Sequence, residues 1–293
     1  VRNSEITRFS SLKTIFPIFL IFVVQYMFMV NSCFYFSDAV NLNISNIESY
    51  MIFTSLLVGF GVTFPIWPFY DWLPQAHVEA STNFSIFLSG VLVKFAFFGF
   101  IKFMVACGFD AIPLWFYPFI LVGFLDASTK LYYQSDLKKI VAYSTVIEMH
   151  WLTIAIVNGT NLFWLGASAM LISHALLSSN FFFFVDSITR RYKTRLLSEV
   201  SGLFYSTPNL YFVTLVTLVL FLGFPGTLFF IAEVFFFSAL LDFNFLLFFL
   251  FFFFAYFVVP SCFFKSWFLA LFGSSNLTST HNVTALARFE LVV

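Results

Sequence analysis

Long apolar runs separated by short polar joints dominate this chain. At about 20 apolar residues per membrane crossing, the runs predict eight helical spans, at roughly 14–36, 49–69, 81–105, 112–132, 139–158, 161–186, 208–241 and 245–270. Helices that are apolar on every side belong in lipid rather than around one aqueous core. The pattern therefore predicts an all-α membrane protein, with residues 1–293 forming a single membrane domain. Composition agrees, since 61% of the residues are hydrophobic and 10% are charged, against roughly 25% charged in a soluble domain. Mean hydropathy is +0.95.

The joints sort by charge. Arg2, Arg8, Lys13, Lys138, Lys139, Arg190, Arg191, Lys193, Arg195 and Arg288 fall on one side of the count, and Asp38, Asp110 and Asp242 on the other, with Lys102 near it. Basic residues collect on the side that is not translocated, so both termini are expected on the cytoplasmic or organelle-matrix side. The run Arg190–Arg195 reads as a solvated positive loop. Net charge is zero, which offers no basic face to nucleic acid. Cys33, Cys107 and Cys262 match neither a disulfide framework nor a metal-ligand spacing, and they are expected to be free apolar residues.

Two spans carry helix breakers in their interiors: Pro65 and Pro68 in the second, and Gly223, Pro225 and Gly226 in the seventh. Proline removes a helical hydrogen bond, and in lipid the released carbonyl must find water or a neighbouring helix. Either break alone reads as a packed kink. Breaks at corresponding places in two halves of a chain point to inverted-repeat ion carriers with a hydrated interior.

Lys94, Glu148, His174 and Glu233 fall near the middles of their spans. A charge at mid-bilayer costs about 2.5–3.5 kcal/mol on insertion scales, so the set is expected to be functional rather than incidental. Burial weakens the preference of each for its charged form, which equips such groups to exchange protons. Asp126 and Lys130, four apart near a span end, read as a helical ion pair or as snorkelling side chains. Phe, at 50 residues, has codons built mainly of T, which fits the AT-rich genome of an organelle.

The run WPFYDWLPQAHVEA and its following apolar segment ending at Lys94 resemble chain 4 of mitochondrial NADH-ubiquinone oxidoreductase, an antiporter-like membrane-arm family of respiratory complex I. SDLKKIVAYSTV, SHALLSS and LGFPGTLFFIAE resemble three further motifs of that family, in family order between about 55 and 240. The resemblance implies an inverted-repeat fold with its first repeat incomplete, in a multi-pass protein of the mitochondrial inner membrane. It implies proton translocation driven by quinone reduction elsewhere, with Lys94 and Glu233 as the central and exit-side proton-transfer positions and His174 between them. Glu148, in the same file, stands where the family usually has histidine. Asp71, His77 and Glu79 would anchor the first break and wet its mouth, or join a matrix-side proton path. Position 63, a lysine in the family, is Thr63 here.

No cofactor is expected on this chain. NADH, FMN, iron-sulfur clusters and ubiquinone are implied in other subunits. The implied partners are other membrane-arm subunits, among them a separate chain supplying N-terminal helices of the family that this sequence lacks. A structural subunit without conduction, or a cation/proton antiporter subunit, are the rival readings. The topology is checked in sealed organelles: protease should cut the 187–207 region only from the matrix side, and cleavage from the intermembrane side contradicts the sorting of charges.

Overall fold

The computed structural model of the protein describes residues 17–29, 46–107, 113 and 115–273. Among these residues the chain is helical, and an isolated bridge pairs Asp136 with Leu196. The helices are α1 (Pro17–Met29), α2 (Asn46–Gly61), α3 (Trp72–Glu79), α4 (Thr82–Cys107) and α5 (Phe116–Tyr132). They continue as α6 (Leu137–Asn158), α7 (Asn161–Tyr192), α8 (Leu203–Ser206), α9 (Pro208–Phe221), α10 (Leu228–Phe243) and α11 (Phe245–Phe272). By length and composition α4, α6, α7 and α11 can each cross a membrane. Arg2, Arg8, Lys13, Cys33, Asp38, Asp110 and Arg288 lie outside the described residues.

Helix α6 is the centre of the bundle. It is buried along its whole apolar length, ringed by α3, α5, α7 and α11. Its first turn is closed by Asp136, whose carboxylate accepts from the Lys138 N–H at 2.9 Å. Its last turn ends at Gly159, at φ 66°, the left-handed conformation that glycine adopts without a Cβ penalty. Thr160 then starts α7 by accepting from the Phe163 N–H, so α6 and the half-buried α7 are joined by two residues. Helix α7 packs most extensively on α10. At Gly166 a Cβ would stand 3.2 Å from the Ala232 carbonyl, the close backbone approach that small residues allow between membrane helices. Helix α11 is the opposite case, with Phe245, Phe249, Phe257 and Phe268 all exposed on an apolar outer surface.

Both predicted interruptions are present. Helix α2 stops at Gly61, before either proline, and the segment 62–71 is a series of turns leading into the eight residues of α3. Its polar groups are met one by one. The Thr63 hydroxyl donates to the Phe60 carbonyl at 2.7 Å, the Trp72 indole donates to the Val62 carbonyl at 2.7 Å, and the Trp67 N–H donates to His150 Nε2 at 3.1 Å. The Trp67–Pro68 peptide is cis. The second interruption parts α9 from α10 through Gly223 and Gly226, at φ 75° and 94°. Thr227 restarts the chain by accepting from the Phe230 N–H at 3.1 Å.

The Arg190–Arg195 run is not simply a solvated loop, which corrects the reading from charge alone. Arg190 pairs with Asp186 at 2.5 Å, and Arg195 Nε pairs with Asp136 at 2.7 Å while its Nη1 donates to the Val78 carbonyl at 3.1 Å. Lys138 Nζ donates to the Ala80 carbonyl at 3.0 Å. Two cations thus cap the carbonyl end of α3, where the helix dipole favours positive charge. Basic side chains are drawn in because a half-helix ending inside a protein leaves carbonyls that must be satisfied.

His150 has a sharply defined place. It is fully buried, its Nδ1 faces the Val146 carbonyl at 2.8 Å, and its Nε2 accepts from Trp67. A Cβ on Gly123 would overlap both the His150 ring and Trp67, so α5 passes directly over this contact. His150→Leu is expected to cost about 1–3 kcal/mol by leaving the Trp67 N–H without its acceptor, and to speed hydrogen exchange across 62–71. His150→Gln, which keeps an acceptor, should cost less; equal protection of 62–71 in all three proteins contradicts the assignment.

Candidate functional site

The mid-span groups converge on α6. Lys94 stands two residues after a π-helical turn in α4, Leu88–Leu92. That turn is placed against α7 at Gly90, where a Cβ would meet the Ser179 hydroxyl at 2.7 Å. The wider turn leaves the Ser89 carbonyl available, and the Lys94 ammonium donates to it. Lys94, Ser89, Thr145, Met149 and His174 line one narrow void, which puts the lysine beside the imidazole. His174 is fully buried, and its Nδ1 contacts Glu148 Oε2 across the α6–α7 interface. The carboxylate therefore has a basic partner, the arrangement that makes a buried charge tolerable. His174 Nε2 has no hydrogen-bond partner among the described residues.

A cavity of about 50 Å³ opens on the other side of Glu148 and ends at Glu233. One water needs roughly 10–15 Å³, so several fit. Its walls include Ser144, Trp151, Phe221 and Phe237. Glu233 is carried by α10, just beyond the second break. Its Oε2 accepts from the Tyr256 hydroxyl at 2.9 Å, and the same oxygen presses on Gly223, where a Cβ would collide with it. Lys94 thus shares a void with His174, His174 contacts Glu148, and the cavity lies between Glu148 and Glu233, so the four groups form one file.

The residues predicted near the first break are spread out. Asp71 binds Lys130 at 2.8 Å, and Lys130 also pairs with Asp126 at 3.1 Å. Asp126 receives the Tyr70 hydroxyl, and Lys130 sits over the Tyr70 ring at 4.7 Å. The helical pair read from spacing is real, and it is extended to fasten the break to α5. His77 is fully buried and stacked on Phe182 at 4.3 Å, with no hydrogen-bond partner on either ring nitrogen among the described residues. Glu79 is exposed at the end of α3. Thr63 is exposed and bonded to its own helix end. Of the cysteines, Cys107 is buried and Cys262 half-buried, and both are free.

Sequence reading missed His150 and Tyr256. Neither stands in a recognisable motif, and Tyr256 lies in a Phe-rich run with no local polar signal. Only the partner across the bundle identifies each.

Two discontinuous helices around a buried histidine and glutamate, with a half-buried lysine and a second half-buried glutamate, define a helical membrane protein of the antiporter-like class, in which broken helices flank an interior of ionisable groups. The sequence profile of the family described as "NADH:quinone oxidoreductase/Mrp antiporter, TM" matches residues 6–259, and the chain belongs to that family. It is 33% identical over 276 residues to NADH-ubiquinone oxidoreductase chain 4 of Paramecium tetraurelia, covering 94% of this chain and 58% of that protein. The chain 4 of Chondrus crispus is 38% identical over 66% of this chain and 40% of its own length. This chain therefore spans about half the length of the curated relatives it matches. The fold superposes on a chain of respiratory complex I from Thermus thermophilus, solved with bound NADH, with a TM-score of 0.84. That match has 19% identity and covers 99% of this chain and 62% of that one. It also superposes on a chain of the Mrp complex from Dietzia sp. DQ12-45-1b, with a TM-score of 0.79 at 17% identity, over 92% of this chain and 51% of that one.

The Glu148–His174 contact offers a thermodynamic check. Removing one partner of a buried pair costs about 3–5 kcal/mol, whereas replacing both by apolar groups of similar volume is near neutral. Glu148→Leu should accordingly destabilise the purified protein far more than Glu148→Leu with His174→Leu. Additive losses in denaturant unfolding would show that the two side chains do not interact.

Proposed function

We propose that this chain is a proton-translocating membrane-arm subunit of NADH:ubiquinone oxidoreductase, in the mitochondrial inner membrane. In this reading the chain is one membrane domain of eight spans, built on the inverted-repeat plan with its first repeat incomplete, and both termini face the matrix. The observation that carries the function is the file Lys94–void–His174–Glu148–cavity–Glu233. A side chain that must be desolvated at membrane depth is costly, and four in contact or across one hydratable gap serve no packing need. A proton on Lys94 draws Glu148 toward its charged form, and a proton on Glu148 releases both Lys94 and His174 from its field. Occupancy at one end of the file is in this way felt at the other. Quinone reduction, with NADH, FMN and iron-sulfur chemistry, belongs in this reading to other chains of the complex.

Lys94 holds the central position, Glu148 and His174 hand the proton across α6 and α7, and Glu233 is the exit group. Asp71 and Asp126, with Lys130 between them, form a charged mouth beside the first break that fits the matrix end of the path. His77 and Glu79 belong to the same half-helix; the buried, stacked His77 supports the break rather than water entry. Partners are other membrane-arm subunits. A separate hydrophobic chain packed on the first spans, supplying further helices of the repeat, belongs to this reading.

One observation favours the structural reading instead. The Thr63 hydroxyl is bonded to Phe60 and carries no charge into the first break. Lys94→Met and Glu233→Gln decide between the two. Each should assemble and lower NADH-driven proton pumping per electron by about tenfold or more, with slowed quinone reduction. Thr63→Lys should alter pumping in a live path and only assembly in an inert one. Normal pumping per electron in the assembled Lys94→Met and Glu233→Gln complexes leaves the structural reading in place.

A further inference from the structure

We infer that Tyr256 is a positioning residue for Glu233: its hydroxyl holds Oε2 and leaves Oε1 as the oxygen that gains and releases the proton. The inference rests on the proton-path reading above and names a group that reading does not need. Three observations bear on it. First, the Tyr256 hydroxyl donates to Glu233 Oε2 at 2.9 Å, joining α10 to α11. Second, Oε2 is the carboxylate oxygen that faces Gly223: a Cβ there would collide with Oε2, while Oε1 would stand 3.4 Å from it, so only glycine leaves room for this oxygen. The φ of 75° at Gly223 belongs to the second break itself, so the break and the tyrosine face the same oxygen.

The third observation is the backbone under Tyr256. Residues Phe254–Val258 form a π-helical turn inside α11. Pro260, four residues after Tyr256, has no N–H to give its carbonyl, and in a regular helix the proline ring would collide with that carbonyl. A π turn relieves the collision by widening the helix at this point. The displaced turn carries Tyr256 toward Glu233, while Ala255, Val259 and Pro260 line the cavity that leads to Glu148. The ring is supported by Phe237 at 5.5 Å and Phe252 at 4.7 Å. Lys94 also stands near a π turn, two residues beyond it.

The proton balance is simple. Glu233 takes one proton at Oε1 from the cavity side and later releases that proton, while Tyr256 keeps its own throughout. With the tyrosine in place, turning the carboxylate to present Oε2 requires breaking this hydrogen bond. Without it, either oxygen faces the cavity and the group loses its fixed orientation.

The test uses the assembled complex in sealed vesicles. Tyr256→Phe removes the hydroxyl and keeps the ring; Tyr256→Gln restores a donor. Tyr256→Phe should lower pumping per electron about 5–10-fold, within the net worth of one ordinary hydrogen bond. The infrared carbonyl stretch assigned to protonated Glu233, by its loss in Glu233→Gln, should shift. Tyr256→Gln should recover part of both, and where Tyr256→Phe assembles poorly the per-electron ratio and the band are read on the assembled fraction and on Tyr256→Gln. Normal pumping with an unmoved band in Tyr256→Phe overturns the inference, as does a defect confined to assembly. Normal pumping in Glu233→Gln overturns the proton-path reading itself; impaired Glu233→Gln beside normal Tyr256→Phe overturns this inference alone.

Discussion

The contact between Glu148 and His174 sets the register of the two most central helices. A carboxylate at the middle of a helix buried on all sides has no water to turn to, so a partner must arrive from a neighbour at the same depth. His174 is that partner. Once α6 and α7 are aligned by this pair, Gly166 falls against the backbone of α10, and α10 in turn places Glu233 across the cavity from Glu148. Lys94 is drawn to the same depth from the outer side, through the void it shares with His174. Packing and electrostatics here impose one geometry.

The two breaks follow from the same constraint in different ways. Membrane helices are long because their backbone must satisfy itself, and interrupting one leaves donors and acceptors to be met singly. At the first break the partners come from side chains: His150 for the Trp67 N–H, Trp72 for the Val62 carbonyl, Arg195 and Lys138 for the end of α3. At the second break glycine does the work, because two residues with positive φ let the chain turn and restart on Thr227 without outside help. The first is the more dependent on its surroundings. The second is compact enough to press directly on Glu233.

Hydropathy, proline and isolated charge made much of this legible in advance. Span lengths come from the thickness of a bilayer, breaks from residues that cannot continue a helix, and the interior groups from the cost of charge in lipid. The long spans 81–105 and 139–158 lie within a residue or two of α4 and α6, and the file Lys94, Glu148, His174 and Glu233 needed no tertiary information to be suspected. The charge run around Arg195 was legible only by half: its sign was clear and its partner, Asp136, was not.

Which way each helix faces was a tertiary decision. Lipid and protein interior are equally apolar, so a membrane helix carries no polar stripe to orient it. The two FFFF runs show the consequence: Phe181 and Phe182 are fully buried, whereas Phe252 and Phe253 are exposed. The same blindness hid His150, whose acceptor role depends on a backbone N–H 83 residues away, and Tyr256, whose partner lies 23 residues earlier on another helix. Sequence by itself determined what must be buried in lipid and where the helices had to break, because those are local properties of residue type. The tertiary structure decided which buried polar groups meet, because that depends on helix rotation and depth, which apolar surroundings leave free until the side chains themselves come into contact.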